Sequence, residues 1–395
     1  MAGMDEPMSR LTHDLIAEIL SRVPYKSLCI CKCVCPAWRA IIADPARRKK
    51  MSQTLAGFFY RITGEGKAEP SGFAGVEYAD LSPFPWSGAP ETHPRLPLPP
   101  DSTDCFFSLE DSCDGLFLAS IRTGAPFGTS RYMVSNPASS EYAVLPHSGY
   151  ASNNSIAYLG FDSSVSTQEF HVFEFVHDWR HPEHGGIHFM VVTEVRIYSS
   201  NTGAWVAMEP KWVIQVGLCF GQPGVFHKGC LHVLTDESGL AIVDAQGLKW
   251  RTVLLPANSS SDFIGKSAGQ LLYINSRYRS DRSLTMLVYA LSDEIYNWDV
   301  CHQDGKCMHW KLLRKLSNVI PKNKFLKVIG VHPHANLIFI AHSDNGLLAC
   351  DLDHHESTIV HHLDHKYPEF VQFFPYVPLL SCLPLDGGIR LVTPS

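Results

Sequence analysis

Several features that indicate common classes of protein are absent from this sequence. Only 18% of its 395 residues are charged and the formal net charge is -6, so the chain lacks the positive field that favours nucleic acid. The one basic run, "ARRKK" at Ala46–Lys50, is typical of a solvated helix end, with nuclear import or phosphate contact as the alternative. No apolar run reaches the roughly 20 residues that span a bilayer. We therefore expect neither nucleic acid nor a membrane as a partner.

Local catalytic motifs are also missing. The sequence contains no "GxSxG" elbow, no P-loop, no "GxGxxG" after a strand and no "HExxH" helix. We accordingly predict no catalytic residues, no cofactor and no metal. A triad assembled from distant segments leaves no local motif, so an enzyme stays open as an alternative.

The start of the chain carries no pattern of a secretory signal. "MAGMDEPMSR" places two acids before any apolar segment, and we expect a cytoplasmic or nuclear protein. The 12 cysteines would then be thiols rather than a disulfide framework. With 45% apolar residues the chain can build a sizeable core.

A helical pattern occupies Leu11 to Ala43. Thr12 is a candidate N-cap and Pro24 ends the first helix, a second begins at Ser27, and Asp44-Pro45 closes a third. The apolar stripes are Leu15, Ile16, Ile19, Leu20 and Val23, and then Val34, Trp38, Ile41 and Ile42. Three short helices bury too little surface to be stable alone. A partner, or the rest of the chain, must cover the remainder.

The chain turns strand-rich after the proline-rich passage Ser82–Pro100. A looser unit of about four strands recurs every roughly 40 to 60 residues, which is typical of propeller blades. Its copies are Gly229–Pro256, Ser112–Pro146, Gly269–Ser317 and Val328–Leu363. The predicted fold is therefore α+β and multidomain, with a small three-helix head before a large all-β domain of propeller type. The spacing is irregular and leaves the number of blades open.

Cysteine recurs at every second position in "SLCICKCVCPAW", Ser27–Trp38. On a helix these four side chains fall on nearly opposite faces, and on a strand they are strung out too far for one zinc ion. We interpret them as packed thiols, with metal ligands or a reactive thiol as the alternatives.

The 20 histidines suggest a metal site in a similar way. In strand geometry His332 and His334 share one face, and a third ligand from elsewhere could complete a site. Paired neighbours such as His354-His355 and His361-His362 point to opposite faces of a strand. A solvated loop and strand edge is the better interpretation.

Most of the tryptophans are interpreted as blade core. The insertion "VHDWRHPEHGG", Val176–Gly186, is different because it combines histidines with Trp179 and Arg180. Recognition loops vary without disturbing a fold, so we nominate this one for substrate binding, against the alternative of a solvated connection.

The head resembles the F-box. The family pattern reads approximately L-P-x-D-L-x-x-E-I-L-x-R-L-P-x-K-S-L, a variable stretch, and V-C-K-x-W-R-x-L-I. The matching residues are Asp14, Leu15, Glu18, Ile19, Leu20, Arg22, Pro24, Lys26, Ser27, Leu28, Val34, Cys35, Trp38, Arg39 and Ile42. The sequence departs from the pattern at Thr12, Val23 and Pro36. Thr12 and Pro36 are each compatible with the start of a helix.

The body is similar to the F-box-associated, kelch-like domain of large plant F-box families. The segments that carry this likeness, in the family's order, are "SCDGLFLAS", "VSNPASSEYAVLP", "YLGFDSSVSTQEFHVFEF", "VRIYSSNTGAWV", "GVFHKGCLHVLT" and "FPYVPLL". We predict an F-box at residues 8–50, a linker and start of the β domain at 51–104, and a propeller-like domain at 105–390.

The resemblance implies a non-catalytic substrate receptor of an SCF-type ubiquitin ligase. The F-box would bind a Skp-type adaptor, which joins a cullin and a RING subunit, and the β body would hold an unknown protein for degradation. The residues expected at the adaptor are Leu11, Leu15, Ile19, Leu20, Pro24, Leu28, Val34 and Trp38. Some of these must instead hold the helices together. A propeller enzyme with an F-box head and a scaffold outside any ligase are the alternatives.

Overall fold

A computed structural model describes most of the chain. The described residues are 11–23, 25–44, 47, 55–62, 76–81, 94–99, 105–123, 130–149, 155–163, 165, 169–180, 189–219, 221–256, 262–278, 284–298, 309–317, 326–343, 346–363, 371–379, 381 and 383. They form a helical head and a body that is almost entirely β-sheet.

The head is built from short helices. These are α1 (His13–Ser21), α2 (Tyr25–Cys31) and α3 (Pro36–Ala43). Their shared core consists of the buried side chains of Ile16, Leu20, Leu28, Ile41 and Ile42.

Local residue chemistry starts two of the helices. The Thr12 hydroxyl accepts a hydrogen bond from the Leu15 N–H at 3.4 Å, which confirms Thr12 as the N-cap of α1. Before α3, the Cys35 thiol accepts from the Trp38 N–H at 3.5 Å. Pro36 occupies the first turn, where its missing N–H costs nothing.

The body consists of short antiparallel strands. In chain order they are β1 (Gly57–Ile62), β2 (Val76–Asp80), β3 (Cys105–Cys113), β4 (Leu116–Thr123), β5 (Ser130–Asn136), β6 (Glu141–Val144), β7 (Ser155–Gly160), β8 (His171–Arg180), β9 (Phe189–Ser199), β10 (Ala204–Met208), β11 (Val225–His227), β12 (Cys230–Leu234), β13 (Gly239–Asp244), β14 (Trp250–Leu254), β15 (Asp262–Ser267), β16 (Gln270–Tyr278), β17 (Leu284–Leu291), β18 (Trp310–Ser317), β19 (Leu326–Val331), β20 (Leu337–His342), β21 (Gly346–Asp351), β22 (Ser357–His362) and β23 (Val371–Tyr376).

These strands form six sheets arranged as propeller blades. Blade 1 has the order β2-β1-β23, and blades 2 to 6 are β3–β6, β7–β10, β11–β14, β15–β18 and β19–β22. The innermost strand is the first strand in each of blades 2 to 6, and it is β23 in blade 1. Each innermost strand contacts the innermost strand of the next blade. The ring is closed by β23, β3, β7, β11, β15 and β19. The prediction of a propeller is confirmed, and the open question of blade number is answered as six.

Blade 1 joins the two ends of the body. Strand β1 pairs antiparallel with β23, from Gly57 opposite Tyr376 to Ile62 opposite Val371, and β2 pairs along the other edge of β1. Aromatic side chains then pack this blade onto both neighbours. Phe58 contacts Phe339 of blade 6 at a ring distance of 5.5 Å, and Phe59 contacts Phe117 of blade 2 at 4.9 Å.

The predicted repeats correspond to blades 2, 4, 5 and 6. Blade 1 is not a repeat in the sequence, because its strands come from opposite ends of the body. Segment 51–104, predicted as a linker and the start of the β domain, contributes β1 and β2 to this blade.

The "HPH" motif does not form the strand that was considered for it. His332 and His334 follow β19 in a turn, where the His332 Nδ1 accepts hydrogen bonds from the N–H groups of His334 and Ala335 at 3.1 and 2.9 Å. The two rings therefore do not form a shared strand face.

The Phe59 contact should be important for closure of the ring. Phe59→Ala should lower the free energy of unfolding by about 3–5 kcal/mol, since it leaves a cavity where blade 1 meets blade 2. Urea unfolding followed by tryptophan fluorescence measures this. Phe106, an exposed side chain on β3, is the matched control, and Phe106→Ala should cost less than about 1 kcal/mol. Equal losses would contradict a special role for Phe59.

Candidate functional site

The first helix of the head has two apolar sides. Ile16 and Leu20 face the core, and Leu20 is 0% exposed. Leu15 and Ile19, one position earlier in each turn, are 52% and 50% exposed. An amphipathic helix that only packs against its own domain needs a single apolar stripe. The second stripe of α1 is therefore available to another surface.

The structure sorts the residues predicted for adaptor binding. Leu15, Ile19 and Val34 are exposed, Leu11 and Trp38 are half-buried against the head core, Leu20 and Leu28 lie inside that core, and Pro24 lies outside the described residues. In this structure Leu20 and Leu28 therefore hold the helices together, the other role that the sequence left open for members of this set. Whether such a residue packs in the core or stays exposed depends on burial. A sequence pattern of equally apolar residues does not indicate burial.

Ile30 is a further exposed apolar residue of the head, and it is not among the residues predicted for adaptor binding. It lies on α2 and is 63% exposed. A helical wheel places it about 200° from the buried Leu28, which was a usable signal that the two face opposite ways. We use the name outer face for Leu15, Ile19, Ile30 and Val34 together.

Charged side chains border α1. Arg22 pairs with Glu18 at 2.8 Å, and Arg47 lies 3.2 Å from Asp14 and 3.4 Å from Asp44. Surface pairs of this kind contribute about 0–1 kcal/mol each to stability. Their main effect is to surround the exposed apolar side chains of α1 with a polar margin.

The cysteines of the head do not gather around one point in the described part of the chain. Cys31 is half-buried against the head core, where burial raises the pKa of its thiol, and Cys33 is exposed. Cys35 caps α3, and the side chain of Cys29 lies outside the described residues. Throughout the described ranges, no cluster of three or more His, Cys, Asp or Glu residues could hold a metal ion. Within the same ranges, no helix has the length and apolarity to cross a membrane.

The central ring of strands has two ends, which we call the entry face, where the innermost strands begin, and the exit face, where they end. At the exit face the Lys266 ammonium lies 3.3 Å from the Asp162 carboxylate and 3.8 Å from that of Asp114. These residues belong to blades 5, 3 and 2. Burial alone would lower the pKa of Lys266, but Asp114 and Asp162 outweigh it and the pKa is raised. The cluster is an ionic bridge across the axis.

Two buried histidines lie near this bridge. The ring of His232 contacts the Val225 carbonyl through Nδ1 at 3.1 Å and the Tyr296 hydroxyl through Nε2 at 3.0 Å. Burial lowers the pKa of His232 to about 3. Burial, with Lys266 and Lys228 nearby, lowers the pKa of His227 to about 4. The contact between His232 and Tyr296 joins blade 4 to blade 5.

The first residues of the nominated recognition loop, Val176 to Arg180, belong to strand β8 at the entry face. Strand β8 extends to Arg180, and Val176 and His177 are buried in it. Trp179 is 51% exposed, while the side chain of Arg180 and residues 181–188 lie outside the described ranges. Val176 and His177 are therefore structural and do not belong to a loop.

The other tryptophans support the interpretation as blade core. Trp310 is buried, and the half-buried Trp205, Trp212, Trp250 and Trp298 pack against the cores of blades. Trp86 lies outside the described residues.

Comparison with known families places both parts of the chain. Residues 8–50 match the F-box domain, and residues 95–374 match the F-box associated beta propeller domain. The second match covers well over half of the sequence. The chain belongs to the F-box associated β-propeller family. It is a plant-type F-box protein with a C-terminal β domain.

Relatives of this F-box protein agree with that assignment. It is similar to two F-box/kelch-repeat proteins of Arabidopsis thaliana, with 27% identity over 201 residues and 28% over 227. The matches cover 50% and 54% of this chain and 48% and 50% of the relatives. The chain thus spans about half the length of the curated relatives it matches.

Solved structures show only a distant likeness to the F-box protein. A polysaccharide lyase described as an ulvan lyase has a TM-score of 0.37 and 10% identity, covering 83% of this chain and 78% of that one. A likeness at this level carries no argument about function.

The buried histidines should make the stability of the F-box protein depend on pH. Their folded pKa values lie below the ordinary 6.5, so the unfolded chain binds protons that the folded chain does not. Stability is then fully present above about pH 6.5 and falls by about 1.4 kcal/mol per pH unit for each histidine as the pH drops towards 4.

Replacement of one histidine tests this expectation. His232→Gln should cost stability at neutral pH, but the difference from wild type should shrink by about 2 kcal/mol between about pH 7.5 and about pH 5 in urea unfolding. His362→Gln, at an exposed position on β22, should leave the pH dependence unchanged. A constant difference between wild type and His232→Gln at both pH values would contradict the assignment.

Proposed function

We propose that this protein is the substrate-recognition subunit of an SCF-type ubiquitin ligase. In this proposal the F-box head binds a Skp-type adaptor through the outer face. The adaptor joins a cullin and a RING subunit, and the propeller holds the protein to be ubiquitinated and degraded. The observation that carries the proposal is the second apolar stripe of α1, within a segment that matches the F-box domain.

The geometry of α1 supports a helix-packing contact with the adaptor. At about 100° per residue, Leu15 and Ile19 lie roughly 40° apart, and Leu20 lies a further 100° or so around the helix. The apolar arc is wider than the head itself covers. Covering the exposed halves of the four side chains of the outer face would contribute roughly 3–6 kcal/mol before the costs of association. That contribution suits one part of a larger protein interface.

The body supports a binding role rather than catalysis. Of its groups with shifted pKa values, His232 bonds to Tyr296 and Lys266 pairs with Asp162. In the proposed complex the chemistry would belong to the partner subunits. An F-box protein acting as a scaffold outside any ligase is the competing proposal, and it differs in whether the cullin is recruited.

We also propose that the protein acts in the cytosol or the nucleus. Cys230 and Cys350 are buried thiols, a state that a reducing compartment maintains.

Substitution on the outer face tests the adaptor contact. Leu15→Arg combined with Ile19→Arg should weaken binding to a purified Skp-type adaptor by more than about 100-fold in biolayer interferometry, because two charges replace the apolar stripe. The thermal unfolding of the body should not change. Leu248→Arg, at an exposed leucine of the propeller, is the control and should bind like wild type.

The outcomes separate the proposals. Failure of the wild type to bind the adaptor would exclude the ligase role, and adaptor binding without recruitment of a cullin would favour the scaffold. Full binding by the double variant would show that the outer face is not the contact. Leu20→Asp should abolish binding by a different route, because a buried charge unfolds the head.

A further inference from the structure

The connection between blades 3 and 4 presents two apolar side chains at the entry face. It follows β10 and leads into β11, and within it Val213 is 98% exposed and Ile214 is 54% exposed. Exposed β-branched side chains side by side in a connecting segment are not needed for the packing of either blade. Exposed apolar side chains of this kind are typical of an interaction site.

The side chain of Trp212 anchors this connection to the cores of blades 3 and 4. The Trp212 ring stacks on Phe175 at 6.2 Å and meets Trp250 edge-on at 4.8 Å, and its indole N–H donates to the Ile242 carbonyl at 3.2 Å. With Trp212 directed into the core, its neighbour Val213 must point outward. The apolar pair is therefore anchored next to a buried ring.

Backbone hydrogen bonds fix the next residues. The Val192 N–H donates to the Val216 carbonyl at 2.9 Å, and the Asp236 N–H donates to the Gly217 carbonyl at 3.1 Å. Gly217 is packed against the Asp236 carboxylate and the Met190 carbonyl, with no room for a side chain. A segment tied to both blades loses little entropy when it binds a partner, so its geometry is preorganised.

A cleft opens beside this segment. Its apolar walls include Ile214 and Leu254, the second of which is exposed at the end of β14, and its rim carries Asp236 and Glu237 from the turn after β12. We call this the 214 cleft. Trp179 lies on the same entry face, on β8 opposite Met190, whose carbonyl contacts Gly217.

The rim of the 214 cleft carries two acidic side chains. Neither Asp236 nor Glu237 forms an ion pair with a Lys, Arg or His residue in the described part of the chain. Burial and the neighbouring Glu237 raise the pKa of Asp236, a sign that a nearby cation would be favourable. Apolar walls with an acidic rim complement a segment that combines an apolar and a basic side chain.

We propose that the 214 cleft binds a segment of the target protein in which a Lys or Arg lies next to an aliphatic or aromatic side chain. The inference rests on the proposed function, because it names the substrate chemistry of the propeller. A second copy of this chain is a poorer occupant. Each copy has a formal charge of -6 and would place its own acidic rim against the same rim.

An oriented peptide library on beads tests the proposal, with the full-length protein purified in complex with a Skp-type adaptor as the probe. Wild type should enrich peptides that carry Lys or Arg beside an apolar residue. Asp236→Asn with Glu237→Gln should lose the basic preference, and Ile214→Ser with Leu254→Ser should lose the apolar preference. Each double variant should bind the best wild-type peptide at least about tenfold more weakly, and binding by wild type should fall as ionic strength rises.

Matched exposed positions provide the controls. Leu312→Ser changes an exposed leucine on β18, and Glu294→Gln changes an exposed acid in the 3-10 turn at Asp293–Tyr296. Both should select the same peptides as wild type. Equal loss in controls and cleft variants would overturn the proposal.

Further outcomes are distinguishable from a failure of the ligase role. A library that shows no basic preference, while the same preparation binds the adaptor, overturns the 214 cleft proposal alone. If wild type does not bind the adaptor, the proposed function is overturned. Peptide selection by the isolated chain then tests the 214 cleft independently. Concentration-dependent dimers in light scattering that Ile214→Ser abolishes would identify a second copy as the occupant and overturn the proposal.

Discussion

The pairing of β1 with β23 is the constraint on which the rest of the body depends. A ring of six sheets leaves unpaired strand edges and an unfilled wedge until its last blade forms. Here that blade takes its innermost strand from one end of the body and its other strands from the opposite end. The Arg61 guanidinium reaches the Gln372 side chain at 2.8 Å across 311 positions of sequence. The entropy of closing so long a loop grows slowly with length, so ladder bonds and aromatic contacts at one blade are enough to offset it.

Closure of the ring fixes the relative positions of side chains that different blades contribute. Once the ring is closed, Lys266 can meet Asp162 and Asp114 from the far side of the axis, and this bridge needs three blades in fixed positions. The connection that carries Val213 and Ile214 is likewise tied to β9 in blade 3 and to the turn after β12 in blade 4. In the proposed function, a rigid body presents this short, anchored segment without a large ordering cost on binding.

The head leaves part of its apolar surface uncovered. It is too small to bury all the apolar side chains on its helices, and α1 shows the result, with one stripe inside and one stripe outside. The body is complete within one chain, whereas the head is completed by a partner in the function proposed for it. The two parts of the chain thus differ in how far their own residues cover their apolar side chains.

The sequence by itself determined the features that depend on neighbouring residues. Thr12 caps α1 and Pro36 opens α3 because each acts on the backbone within one turn. The hairpin repeats of blades 2, 4, 5 and 6 were visible for the same reason. Only the tertiary structure decided the number of blades and the partner of β1, because residues at opposite ends of the body have no local pattern that relates them. It also decided that Leu20 is core and Leu15 is surface, since these leucines are chemically identical and differ only in which side of α1 packs against α3.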